Sequence, residues 1–100
     1  MILYINTKDS KLIKVALKKD GKVIKELTEE NEYGSQVLLP LILKLLRTTN
    51  TELPTLQGIE VETGPGSFTG IRVGVSVANT LSYSLGILVN GKKTESDLVY

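Results

Sequence analysis

The sequence predicts an α/β or α+β domain built on a mixed five-strand sheet. Two observations carry that prediction. Residues 2–28 read as three short runs with period-two alternation, separated by turn chemistry, which is an antiparallel meander. The remainder reads helix, strand, helix, strand, and a strand–helix–strand crossover favours parallel pairing with helices packed on the sheet. One hundred residues make a single domain, large enough to remove roughly two-thirds of its unfolded surface from water.

Each element has a local cause. Ile2 to Asn6 is a short apolar run, the first strand, and Asn6-Thr7-Lys8-Asp9-Ser10 is turn chemistry. In Lys11 to Lys18, Ile13, Val15 and Leu17 alternate with Leu12, Lys14, Ala16 and Lys18, so one face of the second strand is buried. Asp20-Gly21 is a strong hairpin signal, and Lys22 to Thr28 forms the third strand, with Val23 and Leu27 set among charged residues. After a polar loop over Glu29 to Gly34, the Ser35 hydroxyl can cap a helix. Leu38, Leu39, Leu41, Ile42, Leu45 and Leu46 then form a broad apolar face that ends near Arg47. Pro40 removes one backbone hydrogen bond early in this helix, and a bend is expected there. A polar loop with Pro54 leads to a strand over Gly58 to Glu62. A second helix runs from about Phe68 to Leu85 with Gly86 as its C-cap, and Ile87 to Asn90 is the fifth strand. The polar tail, Gly91 to Tyr100, is expected to be loose.

Composition narrows the function. With 12 basic and 11 acidic residues the formal charge is +1, and the hairpin lysines, interleaved with acids, suit a solvated strand edge better than a polyanion-binding patch. There is no cysteine, so disulfides, thiol catalysis and thiolate metal sites are excluded. This fits a cytoplasmic protein. There is no histidine either, which removes the usual general base at neutral pH and the commonest metal ligand. The first residues carry no basic leader, so no signal peptide is expected. The uncharged stretch Val73 to Gly91 is interrupted by Ser76, Asn79, Thr80, Ser82, Ser84, Gly86 and Asn90, and reads as a buried helix and strand, not a membrane span.

The densest cluster of backbone punctuation is Gly64-Pro65-Gly66-Ser67-Phe68-Thr69-Gly70-Ile71-Arg72-Val73-Gly74. Ser67 or Thr69 can cap the helix that starts here. Glycines before a helix N-terminus can also cradle phosphate, so Gly64, Gly66, Ser67 and Thr69 are the candidate phosphate-binding residues. The spacing is neither a Walker A loop, because no Lys follows the last glycine, nor a dinucleotide fingerprint, because Thr69 stands where the third glycine belongs. A strand-to-helix turn is the favoured reading. Hydrolytic use of Ser67 or Thr69 lacks a neighbouring base, since Asp9, Glu60 and Glu62 read as turn and strand-end residues. Arg72, one turn into the helix, opposes the helix dipole, and a salt bridge to Glu62, a partner contact and a solvent-facing position all stay open.

Further along this helix Gly70, Gly74, Ala78 and Ser82 recur every four residues and make one face nearly flat. Such a stripe admits another backbone closely. It can pack on the chain's own sheet or on a partner, and the competing apolar surface of Ile71, Val75 and Val77 favours a partner. The expected interface is therefore Gly70, Ile71, Gly74, Val77, Ala78 and Ser82, with Leu38, Leu41, Ile42 and Leu45 of the first helix.

The motif GPGSFTGIRVG, Gly64 to Gly74, resembles the signature of the TsaB (YeaZ) family, and MILYINT, SQVLLPLILKLL and IEVETGPGSFTG align in order with that family's opening strand, first helix and strand-into-loop. The resemblance spans Met1 to about Val89. It implies a single α/β lobe of the actin-like, RNase H-like (ASKHA) kind, with sheet order 3-2-1-4-5 and two main helices. It also implies a subunit without catalytic activity or cofactor in the threonylcarbamoyl modification of tRNA adenosine. The implied partners are a TsaD-type catalytic subunit, paired through the two helices, and a TsaE-type ATPase in the larger complex, with tRNA engaged indirectly. Homodimers through related surfaces are also implied. Three departures stand out. Asn6 replaces the usual Asp, and an amide holds a magnesium ion poorly. Tyr33-Gly34-Ser35 stands where many members carry a His. The second lobe usual in the family is not in this sequence.

Overall fold

The computed structural model describes residues 1–9, 11–30 and 35–99. The five strands are β1 (Ile2–Asn6), β2 (Leu12–Lys19), β3 (Lys22–Glu30), β4 (Gly58–Val61) and β5 (Leu88–Val89). The helices are α1 (Ser35–Thr48), between β3 and β4, and α2 (Phe68–Leu85), between β4 and β5. The strands form one sheet in the order β3-β2-β1-β4-β5. The meander pairs antiparallel, while β1–β4 and β4–β5 pair parallel. This is the α/β arrangement, with the mixed sheet that the alternation predicts and the strand order that the family resemblance implies.

Alternation explains how the sheet is faced. Leu3 and Ile5 on β1, Ile13, Val15 and Leu17 on β2, and Ile59 and Val61 on β4 are buried and join one core with Leu38, Leu41, Ile42, Leu45 and Leu46 of α1 and Ile71, Val75 and Ala78 of α2. Both helices therefore cover the same face, α1 over β2 and β3, and α2 over β1, β4 and β5. The opposite face is polar. Lys18 Nζ lies 2.8 Å from Glu60 Oε1 and over the Tyr4 ring, 4.6 Å from its centroid. Tyr4 Oη donates to Glu62 Oε1 at 2.8 Å, and Lys14–Glu26 and Lys8–Glu62 pair at 3.8 Å. Partial burial, then the carboxylate of Glu62, push the Tyr4 phenol up to about 12. One apolar and one solvated face is what an antiparallel meander tolerates and an all-parallel sheet does not.

The turns follow their residues. Asp20 (φ 52°) and Gly21 (φ 78°) both take the left-handed conformation, as a two-residue hairpin between right-twisted strands requires. A one-turn 3-10 helix, Leu53–Thr55, with Pro54 near its start, sits in the loop that the sequence left irregular. Pro40 lies inside α1, which continues past it to Thr48. The Tyr33-Gly34 pair and the capping role read for the Ser35 hydroxyl lie outside the described residues and side chains. Among the described residues no helix is long and apolar enough to cross a membrane.

The tail departs from expectation. Asn90 (φ 51°) and Gly91 (φ 76°) make a second two-residue hairpin turn, closed by Lys92 N to Val89 O at 2.9 Å and Val89 N to Lys92 O at 2.8 Å. The segment after it folds back instead of hanging loose. Glu95 is only 4% exposed, Leu98 packs against the core, and Val99 N donates to Thr63 O at 2.8 Å. Asn90-Gly91, like Asp20-Gly21, is a dipeptide that readily takes the left-handed conformation at both positions, and it turns the chain back here.

Candidate functional site

The motif turn is built to join β4 and α2 at close quarters with β1. Gly64 has φ 111° and precedes a cis peptide to Pro65. Ser67 is the N-cap of α2: its Oγ accepts from Gly70 N at 3.2 Å, and its own N–H donates to Lys8 O at 2.8 Å. Of the candidate phosphate ligands, Ser67 thus spends its backbone N–H and its Oγ on the chain itself. A β-carbon at Gly66 would lie 2.5 Å from Lys8 O, so this glycine is explained by backbone approach. Thr69 is exposed in the first turn of α2, away from the capping bond. Replacing Ser67 with Ala is expected to cost about 1 kcal/mol through the lost cap. Thermal unfolding checks this, and the drop in Tm should be about 5 °C in a chain of this size.

The small-residue stripe faces inward. Thr7, immediately after β1, is 1% exposed, and its Oγ1 donates to Gly70 O at 2.5 Å. β-Carbons at Gly70 and Gly74 would fall closer than 3.0 Å to Thr7 O and Thr7 Oγ1 respectively. Ala78 is fully buried, and Ser82 Oγ donates to Ile87 O where the chain leaves the helix at Gly86. The partner for which the stripe leaves room is the chain's own first strand end. This corrects the expected interface: Gly70, Ile71, Gly74, Ala78 and Ser82, with Leu38, Leu41, Ile42 and Leu45, are all buried in the chain's own core. A sequence shows that a helix face is flat, but not what lies on it.

Of the ten residues read as the interface, only Val77 reaches the surface. It lines a shallow apolar groove with Leu39 of α1 and Ser76, Thr80 and Leu81 of α2. Leu39 is 44% exposed and Leu43, one helical turn further on, 47%. A large apolar pair on the solvent side of a helix whose other side already fills the core is the informative kind of exposure. Its sequence signal was the excess breadth of the α1 apolar face, where Leu39 and Leu43 fall four residues apart outside the core-facing set.

Arg72 is placed beside an aromatic ring. Its guanidinium lies 5.3 Å from the centroid of the Phe68 ring, while Glu62 is engaged by Lys8 and Tyr4. Asn6, in the position noted for a missing carboxylate, uses its Oδ1 to accept from Lys8 N at 3.1 Å, an Asx-type turn. Among the described residues no group of three or more Asp or Glu side chains is gathered to hold a metal ion.

A five-strand sheet of this order, with both helices on one face and a glycine turn seating α2 on β1, defines the class as a single α/β lobe with a mixed sheet. The family model described as "TsaD: tRNA N6-adenosine threonylcarbamoyltransferase" matches residues 14–91. The chain is 34% identical over 89 residues to "tRNA threonylcarbamoyladenosine biosynthesis protein TsaB" of Bacillus subtilis (strain 168), covering 89% of this chain and 39% of that protein. To the protein of the same description in Escherichia coli (strain K12) it is 32% identical over 93 residues, covering 93% and 40%. The solved structure "YeaZ from Pseudomonas aeruginosa" superposes with a TM-score of 0.79 at 29% identity, over 88% of this chain and 41% of that one. The chain therefore belongs to this family, on its TsaB (YeaZ) branch, and it spans about two-fifths of the length of these relatives.

Proposed function

We propose that this chain is a non-catalytic, cytoplasmic subunit in tRNA threonylcarbamoyladenosine biosynthesis, and that it acts by pairing with a TsaD-type catalytic subunit through the outer faces of α1 and α2. The observation that carries the reading is the exposed Leu39 beside Val77 and Leu81, with Leu43 exposed one helical turn further on, on two helices whose inner faces already fill the core. A stable lobe has no use of its own for a second apolar helix face, whereas helix-on-helix docking does. The chain's chemistry is consistent with this role: it holds neither His nor Cys, and the hydroxyl of Ser67 is committed to a helix cap. The names of its relatives supply the pathway. A TsaE-type ATPase and tRNA enter through the catalytic subunit in this proposal. The phosphate-loop alternative draws no specific support, because Ser67 turns both its backbone N–H and its Oγ to the chain itself and Gly66 is explained by backbone approach.

The test is light scattering of the chain alone and mixed with a TsaD-type subunit, followed by titration of a Leu39→Asp variant. A one-to-one or two-to-two complex is expected. Leu39→Asp should weaken it by about 30-fold or more, the loss of a central apolar anchor of about 2 kcal/mol, with little change in the melting temperature of the free chain. A complex of unchanged affinity would remove the α1–α2 outer face from consideration. Self-association lost in the same variant would assign that face to a homodimer instead.

A further inference from the structure

We infer that the segment from Lys92 to Val99 is a strap, hinged at Asn90-Gly91 and pinned by Glu95, that opens as a unit while the lobe stays folded. Three sets of contacts hold it closed. At the hinge, the Asn90 side chain imitates a peptide group of a lengthened β5: Oδ1 accepts from Val61 N at 2.9 Å and Nδ2 donates to Val61 O at 3.0 Å. The same Nδ2 reaches Glu95 Oε2 at 2.7 Å. At the pin, Glu95 Oε1 accepts from Asp97 N at 2.9 Å and from Lys92 Nζ at 3.1 Å, and Lys92 also pairs with Asp97 at 2.7 Å. Burial alone would raise the Glu95 carboxyl, but the donors from Asn90, the Asp97 amide and Lys92 outweigh it and hold the group below its ordinary value. Asn79 of α2 clamps the backbone of the same residue from both sides, donating to Glu95 O at 3.0 Å and accepting from Glu95 N at 2.8 Å. At the far end Val99 pairs with Thr63, and its carbonyl occupies the space that a side chain at residue 64 would need.

These contacts are almost all polar. Leu98 is the strap's apolar tie to the core, and it lies along Arg72, Val75, Ser76, Asn79 and Thr80 of α2. A segment held by a few hydrogen bonds and one partly buried apolar residue belongs to the low-stability end of a fold and opens locally before the core does. Its closed form covers the Thr63–Gly64 edge of the motif turn, so any group that approaches the turn from that side meets it only after the strap has left. The inference does not depend on the partner proposed above.

Limited trypsin digestion of the full chain reads this directly, because Lys92 and Lys93 lie between hinge and pin. Glu95→Ala, and independently Asn79→Ala, should speed cleavage after Lys92 or Lys93 by about tenfold or more, the effect of losing about 1.4 kcal/mol of closure. Cleavage after Lys18 and Lys25, in the meander, should keep its wild-type rate. Unchanged cleavage at Lys92 and Lys93 in both variants would overturn the inference, because the pin would then hold nothing. Parallel acceleration at all sites would overturn it too, since the segment would then be an integral part of the cooperative fold.

Discussion

Gly74→Ala should lower the stability of this chain by about 2 kcal/mol, although alanine is the better helix former. At an exposed helix position the same change gains roughly 1 kcal/mol. Here the new β-carbon would overlap Thr7 Oγ1, and that oxygen cannot swing away without breaking its bond to Gly70 O in a buried site. Overpacking of a tight site costs about 1–3 kcal/mol, and the hydrogen bond at risk adds to it. In thermal unfolding the Tm should fall by about 10 °C. The cause is tested by a double-mutant cycle. Thr7→Ala removes the obstructing oxygen and, alone, also destabilises, because the buried side-chain bond to Gly70 O is lost. Combined with Gly74→Ala it should cost clearly less than the sum of the two, since one overlap is no longer counted. Additive losses, or a rise in Tm for Gly74→Ala alone, would mean that α2 is not seated on Thr7.

That contact marks where sequence reasoning stops. The four-residue recurrence of Gly70, Gly74, Ala78 and Ser82 was visible as a flat face, and the elements around it were legible because each has a local cause: alternation in Ile13–Leu17, Asp20-Gly21 at the hairpin, Ser67 before the helix and Gly86 after it. What covers the flat face is a residue 63 positions before Gly70 in the chain, and nothing local to either segment encodes that meeting. Counting apolar surface on α2 suggested that it exceeded what one domain can cover, and a partner was inferred from the surplus. The missing cover is supplied by Thr7 on one flank and by Leu98 of the strap on the other. The strap is not legible from composition, because a polar segment looks loose whether or not its groups find partners. Asn79, Asn90 and Glu95 instead satisfy one another, and a network of that kind seats a segment that has little apolar area to bury without merging it into the core. The resemblance to the TsaB family points to two helices but does not choose between their faces, because in both helices the residues that look most apolar are those the core has already taken.

The two faces of α1 therefore make opposite predictions, and Leu45→Ala against Leu39→Ala separates them. Leu45 is fully buried beside Leu38 and Ile42, between α1 and the β2–β3 hairpin. Truncating it removes the transfer energy of its side chain and leaves a cavity that a helix fixed at both ends closes poorly, so the expected cost is about 3 kcal/mol. For a chain with a total stability of roughly 5–15 kcal/mol, that is a large fraction. The Tm should drop by about 15 °C, and binding to any partner should fall only in proportion to the unfolded fraction. Leu39, nearly half exposed, has no cavity to leave. Its truncation should change the Tm by no more than about 2–3 °C, within the range of surface substitutions, while complex formation at a temperature where both variants are folded should suffer. If Leu45→Ala instead left the Tm intact and abolished the complex, Leu45 would face the partner after all, and the core drawn between α1 and the meander would have to be redrawn around it. Thermal melts and one titration per variant distinguish the two cases, because packing inside the lobe lowers Tm and packing against a partner lowers affinity.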